Sequence, residues 1–206
     1  GAASGAITVP AHTLYDIVRK LPDAANVEFS SGAGDTTLLV KAGKSTFRLG
    51  CLPTEDFPKM GSTEKFSYTF AVPAADLRTL IDRTRFAISN EETRYYLNGI
   101  YLHAAESDGV AVLRAVATDG HRLARFEMPL PAGAKDMPGV IIPRKAINEI
   151  RKLIDEAGDS IEIGLSDNKL KFTFDHVTMT TKLIDGTFPD YERVIPKNND
   201  KFLEVN

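Results

Sequence analysis

Hydrophobic and polar positions along this chain follow two periods, and three times one period gives way to the other at a proline. The segments ITVPAHTLYDIVRKL (7–21), FAVPAADLRTLIDRT (70–84) and VIIPRKAINEIRKLI (140–154) share one plan. A short β-branched run meets Pro10, Pro73 or Pro143, and apolar residues at helical spacing follow at once. Proline suits a helix start, because its φ is already helical and its missing N–H has no partner there. The first helix is expected to turn Leu14, Ile17, Val18 and Leu21 inward, and the second Leu77, Leu80, Ile81 and Thr84. For the third, the inner face is Ile147, Ile150, Leu153 and Ile154.

Behind each helix the pattern alternates with period two, the mark of half-buried strands. After the third helix come Ile161, Ile163 and Leu165, a polar turn at Ser166–Lys169, then Leu170, Phe172 and Phe174, and a strand through Val177 and Met179. After the second come Ile100 and Leu102, a turn at Ser107-Asp108-Gly109, a strand over 110–117, a turn at Asp119-Gly120 and a strand through Leu123. The first helix is followed in the same way from Val27 to Leu49. CLPTEDFPKM closes the first unit and LIDGTFPDYERV the third, with Phe57-Pro58 and Phe188-Pro189 in matching places. Each unit therefore reads β-α-β-β-β, an α+β arrangement with helices on one side of curved antiparallel sheets. The second and third units together make a complete domain, and the first is the latter half of a preceding one.

Composition changes this picture little. The 206 residues, 43% hydrophobic and 26% charged, are those of an ordinary globular chain with enough length to bury a core. A single cysteine, Cys51, excludes a disulfide framework and fits a reducing compartment. No apolar run approaches the roughly 20 residues of a membrane span, and no signal peptide is visible. The start at Gly1-Ala2-Ala3 rather than methionine reads as that of an excised fragment. Net charge is −3, yet basic residues gather on the repeated helices: Arg19 and Lys20, Arg78 and Arg85, then Arg144, Lys145, Arg151 and Lys152. For nucleic acid, that placement matters more than the total.

Four segments carry candidate chemistry. Ala42-Gly43-Lys44-Ser45-Thr46 resembles the tail of a phosphate-binding loop, but position 38 is leucine where that motif needs glycine, and the surroundings read strand–turn–strand. Gly32-Ala33-Gly34 reads as a flexible turn. Within Thr118–Leu123, Asp119 and His121 could form half of an acid–base pair, or the Asp-Gly could simply close a hairpin and leave His121 and Arg122 displayed for binding. Arg94-Tyr95-Tyr96-Leu97-Asn98 reads as a strand whose two tyrosines point to opposite faces. Phe188–Pro196, ahead of the polar stretch 197–201, reads as a domain linker or as the lining of a groove. No metal or cofactor motif is present.

Taken together, RYYLNG, VATDGHRLA, the IIPRKA helix start and LIDGTFPDYERVIPKN resemble the bacterial DNA polymerase sliding clamp family, the β subunits of the replicative polymerase. The motifs occur in the family's order, and the resemblance covers nearly the whole chain. It implies that residues 1–60 are the second half of the first clamp domain, 61–196 the complete middle domain, and 197–206 a linker and the start of the third. It implies a bacterial cytoplasmic protein with no catalysis and no cofactor, forming a head-to-tail dimeric ring around duplex DNA without regard to sequence.

The resemblance also implies sites. Arg19, Lys20, Arg78, Tyr95, Arg144, Lys145 and Lys152 would approach DNA. Arg94, Leu97, Thr118, Gly120, His121, Arg122, Leu123, Pro189, Arg193 and Val194 would form a pocket for short peptide motifs. Those motifs belong to the polymerase catalytic subunit, the clamp loader and repair proteins. Phe47 and Leu49 would meet the second clamp subunit. Two readings from other classes stand beside this one: a hydrolase centred on Asp119 and His121, and a duplicated scaffold with no nucleic-acid role.

Overall fold

The computed structural model describes residues 5–31, 36–58, 65–201 and 203–204. The turn at Gly32–Gly34, the end of CLPTEDFPKM and the expected domain boundary at residue 60 lie outside them. The chain divides into two compact units, Gly1–Ser62 and Thr63–Asn206.

In the first unit, helix α1 (Ala11–Val18) is followed by β1 (Val27–Ser31), β2 (Thr37–Ala42) and β3 (Ser45–Gly50). The strands form an antiparallel sheet in the order β1-β2-β3. Alternation puts Leu38 and Val40 of β2 on the inner face with Leu49 of β3, and Leu14, Ile17 and Phe47 pack around them. Ala42 pairs with Ser45, so Gly43 and Lys44 form a two-residue hairpin turn with Gly43 at φ +57°. The phosphate-loop resemblance is thus a hairpin, which needs its glycine for backbone conformation. No residue of α1 is fully buried, and Val18 is 44% exposed rather than inward. Its apolar stripe meets one small sheet, too narrow to cover the whole face.

The second unit contains two β-α-β-β-β halves. One is β4 (Tyr68–Pro73), α2 (Ala74–Thr84), β5 (Gly99–Ser107), β6 (Val110–Thr118) and β7 (Leu123–Pro129). The other is β8 (Val140–Pro143), α3 (Arg144–Ile154), β9 (Ser160–Leu165), β10 (Lys169–Phe174) and β11 (Val177–Lys182). The sheets run β11-β10-β9-β4 and β7-β6-β5-β8, so each half sends its leading strand into the other half's sheet. Gly99 permits that exchange: a Cβ there would lie 2.3 Å from the carbonyl oxygen of Ile142 on β8.

Both leading strands end in proline, and the helices begin one residue later than the proline pattern implies. Pro73 and Pro143 are the last extended residues, with ψ of 134° and 143°. A proline at the end of a ladder costs no hydrogen bond and fixes the exit of the chain. The next N–H is also satisfied alike in both halves: Ala74 N donates to Asp159 O and Arg144 N to Asn98 O, each at 2.9 Å.

The main core lies between the sheets and the helix pair. Phe70 and Val72, Ile161, Ile163 and Leu165, Ile100 and Leu102, and Phe172 meet Leu80 and Ile81 of α2 and Ile147 and Ile150 of α3. Each such side chain contributes about 1.5–3 kcal/mol on burial. Arg151 pairs with Asp82 at 2.9 Å and Arg78 with Asp155 at 2.6 Å, a crossed register that fits α2 and α3 lying antiparallel. A second core covers the opposite face of the β5–β8 sheet. There Leu97, Val116 and Ile141 pack against Phe188 and Tyr191 of the closing segment. Leu153 is only partly buried.

The tyrosine pair departs from expectation. Residues Glu92–Leu97 form a 3-10 turn, not a strand, with a break at Arg94 (φ −108°, ψ 52°). Tyr95 and Tyr96 meet edge to face at 5.8 Å instead of pointing to opposite sides. The Arg94–Glu91 ion pair and the burial of Leu97 hold this turn against the strand preference of two tyrosines.

Candidate binding groove and basic helix faces

The turn 118–123 and the closing segment 188–196, far apart in sequence, meet beside the 3-10 turn carrying Arg94 and Leu97. They enclose a groove of about 590 Å³. Its lining includes Arg94, Leu97, Thr118, Gly120, His121, Arg122, Leu123, Pro189 and Val194. Of the expected pocket residues only Arg193 is not among the lining; its side chain is 83% exposed and lies 3.6 Å from Asp190. Asp190, Tyr191 and Pro196, from the segment that reads as a linker or a groove lining, also line the groove, and so does Tyr96, which was not among the expected pocket residues.

One wall is a turn built on its own hydrogen bonds. Asp119 Oδ1 accepts from the N–H groups of His121 and Arg122, both at 3.0 Å, and its Oδ2 accepts from Arg122 Nε at 3.0 Å. Thr118 Oγ1 donates to Arg122 O at 2.7 Å and accepts from Gly120 N at 3.1 Å. These backbone donors hold the Asp119 carboxyl down at about 2. Asp119 is therefore an ionised clasp for the turn and a feeble base, and it bonds the backbone of His121, not its imidazole. The hydrolase reading loses its acid–base pair. No cluster of His, Cys, Asp and Glu that could hold a metal occurs among the described residues.

The other side of the turn is shaped by Arg94, whose guanidinium lies against Gly120 and is held by both carboxylate oxygens of Glu91. That bond lowers the Glu91 carboxyl and raises the Arg94 guanidinium. Arg122 lies over the exposed ring of Phe86 at 5.8 Å. Leucines, prolines and Val194 together with two arginines and a histidine suit an extended ligand with apolar anchors.

The basic residues fall into two groups. Arg78 pairs with Asp155, Lys152 with Glu149 at 3.0 Å, and Arg19 with Asp16 at 3.2 Å. Such exposed pairs contribute about 0–1 kcal/mol and are easily exchanged. Arg144, Lys145 and Lys20 are exposed and pair with no carboxylate among the described residues. Arg144 and Lys145 share a hollow of about 400 Å³ with Tyr95, Asn98 and Asn148, and Tyr95 is 54% exposed beside them. Tyr95, Arg144 and Lys145 are thus brought together at the start of α3, while Arg78 and Lys152 lie elsewhere on the helix pair.

Phe47 and Leu49, the residues expected at the second clamp subunit, differ in exposure: Phe47 is partly buried and lines a hollow beside α1, while Leu49 is buried. Leu49 is 5% exposed, and both side chains pack into the first unit's own core, because the inner positions of β3 are the odd ones. Outward, β3 shows Thr46, Arg48 and the free backbone edge of a terminal strand. Cys51 packs against the same core, its Sγ 3.5 Å from Leu49 O, and no helix among the described residues is long and apolar enough to cross a membrane.

Comparison with known proteins gives a consistent result. Residues 71–190 match the family model for the central domain of the DNA polymerase III beta subunit, and residues 1–61 the model for its N-terminal domain. The Beta sliding clamp of Caulobacter vibrioides is 54% identical over 202 residues, covering 98% of this chain and 54% of the relative. That of Escherichia coli is 39% identical over 203 residues, covering 98% and 53%. Among solved structures, a Caulobacter crescentus beta sliding clamp superposes with a TM-score of 0.93 at 54% identity, over 97% of this chain and 53% of that one. A Bartonella birtlesii sliding clamp bound to griselimycin gives 0.90 at 52% identity, over 97% and 53%. The chain spans about half the length of the curated relatives it matches.

Proposed function

The chain belongs to the bacterial DNA polymerase III beta subunit family, the beta sliding clamps, and from that premise we propose that it serves a cytoplasmic processivity factor. As part of a head-to-tail dimeric ring it encircles duplex DNA and tethers the polymerase catalytic subunit, the clamp loader and repair proteins. It has no chemistry of its own. In this reading residues 1–60 are the latter half of the first clamp domain, 61–196 the middle domain, and 197–206 the lead into the third.

The observation that carries the proposal is the meeting of turn 118–123 with segment 188–196 around one groove lined by apolar and basic side chains. An extended peptide with hydrophobic anchors fits it, and partners that share such a peptide compete for one site. The DNA contacts come from Tyr95, Arg144 and Lys145, with Lys20, Arg19, Arg78 and Lys152 as further cations. Phosphate contacts of this kind hold DNA without reading sequence. Retention rests on ring closure, so weak contacts favour sliding.

Griselimycin, which the Bartonella birtlesii clamp binds, is a ready probe of the groove. In the full-length clamp, Leu123→Asp places an unpaired charge against the anchor site and costs several kcal/mol of affinity if it stays desolvated. His121→Ala, at the wetter rim, costs less. Griselimycin titration, with circular dichroism to confirm folding, tests this. Wild-type binding by a folded Leu123→Asp protein refutes the groove assignment.

A further inference from the structure

Arg114 on β6 is the one charged residue in the buried set among the described residues, only 6% exposed, and it lies outside the groove lining. Every nitrogen of its guanidinium is used. Nε donates to Glu127 Oε1 on β7 at 2.9 Å, and one terminal nitrogen donates to the Tyr191 hydroxyl at 2.9 Å and to Glu192 Oε1 at 2.7 Å. The other donates to Glu106 O on β5 at 3.3 Å. Two adjacent strands and the closing segment are therefore joined at one cation.

His103 on β5 completes the arrangement. Its Nδ1 lies 2.9 Å from the Ala104 carbonyl oxygen, which can only accept, so Nδ1 carries the proton. Nε2 is then the acceptor, 3.0 Å from the Tyr191 hydroxyl. That hydroxyl donates to His103 while accepting from Arg114. Burial pushes the His103 imidazole below its ordinary range, which keeps it neutral near pH 7. Stacking fixes the rest of the segment: Phe188 lies on Tyr101 at 4.8 Å and 6°, and Tyr101 on His103 at 4.6 Å.

The closing segment is thus pinned at Phe188 and Tyr191, and between and just beyond these pins Pro189, Asp190 and Val194 face the groove. A buried ion pair is a poor source of net stability compared with an apolar replacement. What this network supplies is the position of a wall. We propose that Arg114 and His103, acting through the Tyr191 hydroxyl, are positioning residues that hold the 188–194 wall preformed and so set the groove's affinity for an extended peptide. This rests on the groove reading above. A wall already in place spares the ligand the cost of ordering it on binding.

Acid should loosen the device. Protonating Nε2 removes the acceptor for the Tyr191 hydroxyl and sets a second cation against Arg114. The other charged groups acting on His103 are Glu127 from β7 and Glu192 from the closing segment, both of which Arg125 of β7 pairs with, and Tyr101 stacks on it from its own strand. Affinity should therefore be level near neutrality and fall as pH drops through the lowered His103 range.

The test is griselimycin titration of the full-length clamp across pH. Tyr191→Phe keeps the ring and loses the bridge, and His103→Phe keeps the stack and loses the acceptor. Each should bind about threefold to tenfold more weakly, the worth of one hydrogen bond. His103→Gln retains an acceptor oxygen, so it should bind near wild type at neutral pH and lack the acid decline that wild type shows. The acid comparison needs only wild type and this conservative variant, so it stands even if a harsher variant fails to fold. Wild-type affinity in both phenylalanine variants, or an acid decline unchanged in His103→Gln, overturns the proposal. If Leu123→Asp abolishes binding while Tyr191→Phe and His103→Phe leave it intact, the positioning claim alone fails. If Leu123→Asp binds normally, the groove reading fails and takes this inference with it.

Discussion

The guanidinium of Arg94 lies directly on Gly120: a Cβ at position 120 would fall 2.6 Å from its terminal nitrogen. Gly120 also holds φ +89°, a conformation that residues with a side chain resist. Two walls of the groove therefore meet at a glycine whose backbone conformation a side chain would strain. Gly120→Ala should destabilise the middle domain by about 1–2 kcal/mol, since the arginine can swing away but the backbone strain remains. Urea denaturation should give nearly the same loss in an Arg94→Ala background. A loss that vanishes there would make the contact, not the backbone, the cause.

Asp119 sets an acid limit on the same turn. Its carboxyl is lowered to about 2 by the N–H groups of His121 and Arg122. A depressed folded pKa contributes stability above the unfolded value, about 3.9 for aspartate, and loses it as pH falls towards the folded value. The stability difference between wild type and Asp119→Asn should be constant above about pH 5 and shrink steadily below pH 4. Thermal melts across that range check it; a difference that grows on acidification contradicts the clasp.

Much of this was legible from sequence, for reasons that differ by residue. The helices showed because Leu77, Leu80 and Ile81 recur at helical spacing, and the strands because Ile161, Ile163 and Leu165 alternate. The repeat placed Thr118–Leu123 and Phe188–Val194 in one domain, and their meeting follows from that. What stayed hidden was set by tertiary contacts. Tyr95 and Tyr96 carry strand preference, but Glu91 and Arg94 close a turn around them. Arg151 reads as a free cation until Asp82, on another helix, is found 2.9 Å away. Arg114 alternates outward from Leu113 and Ala115 and looks exposed, but the returning closing segment lies over it with Tyr191 and Glu192.

The ion pairs also rank the basic residues. Among the described residues Arg144 and Lys145 hold no carboxylate and can meet phosphate directly, whereas Arg78 and Lys152 must first leave Asp155 and Glu149. In the full-length ring, Arg144→Ala and Lys145→Ala should each flatten the log–log salt dependence of DNA binding by about 0.9. Arg78→Ala and Lys152→Ala should change it less. Equal slopes for all four variants would show that the pairs impose no order.

The proposed function has the full-length clamp surround DNA, and release from circular and linear duplex tests it directly. Full-length clamp is loaded on a nicked circle at a salt concentration that suppresses phosphate contacts, and retention is followed by gel filtration before and after a single restriction cut. Clamp held only by topology stays on the intact circle and runs off once an end exists. Equal release from circle and line would contradict it.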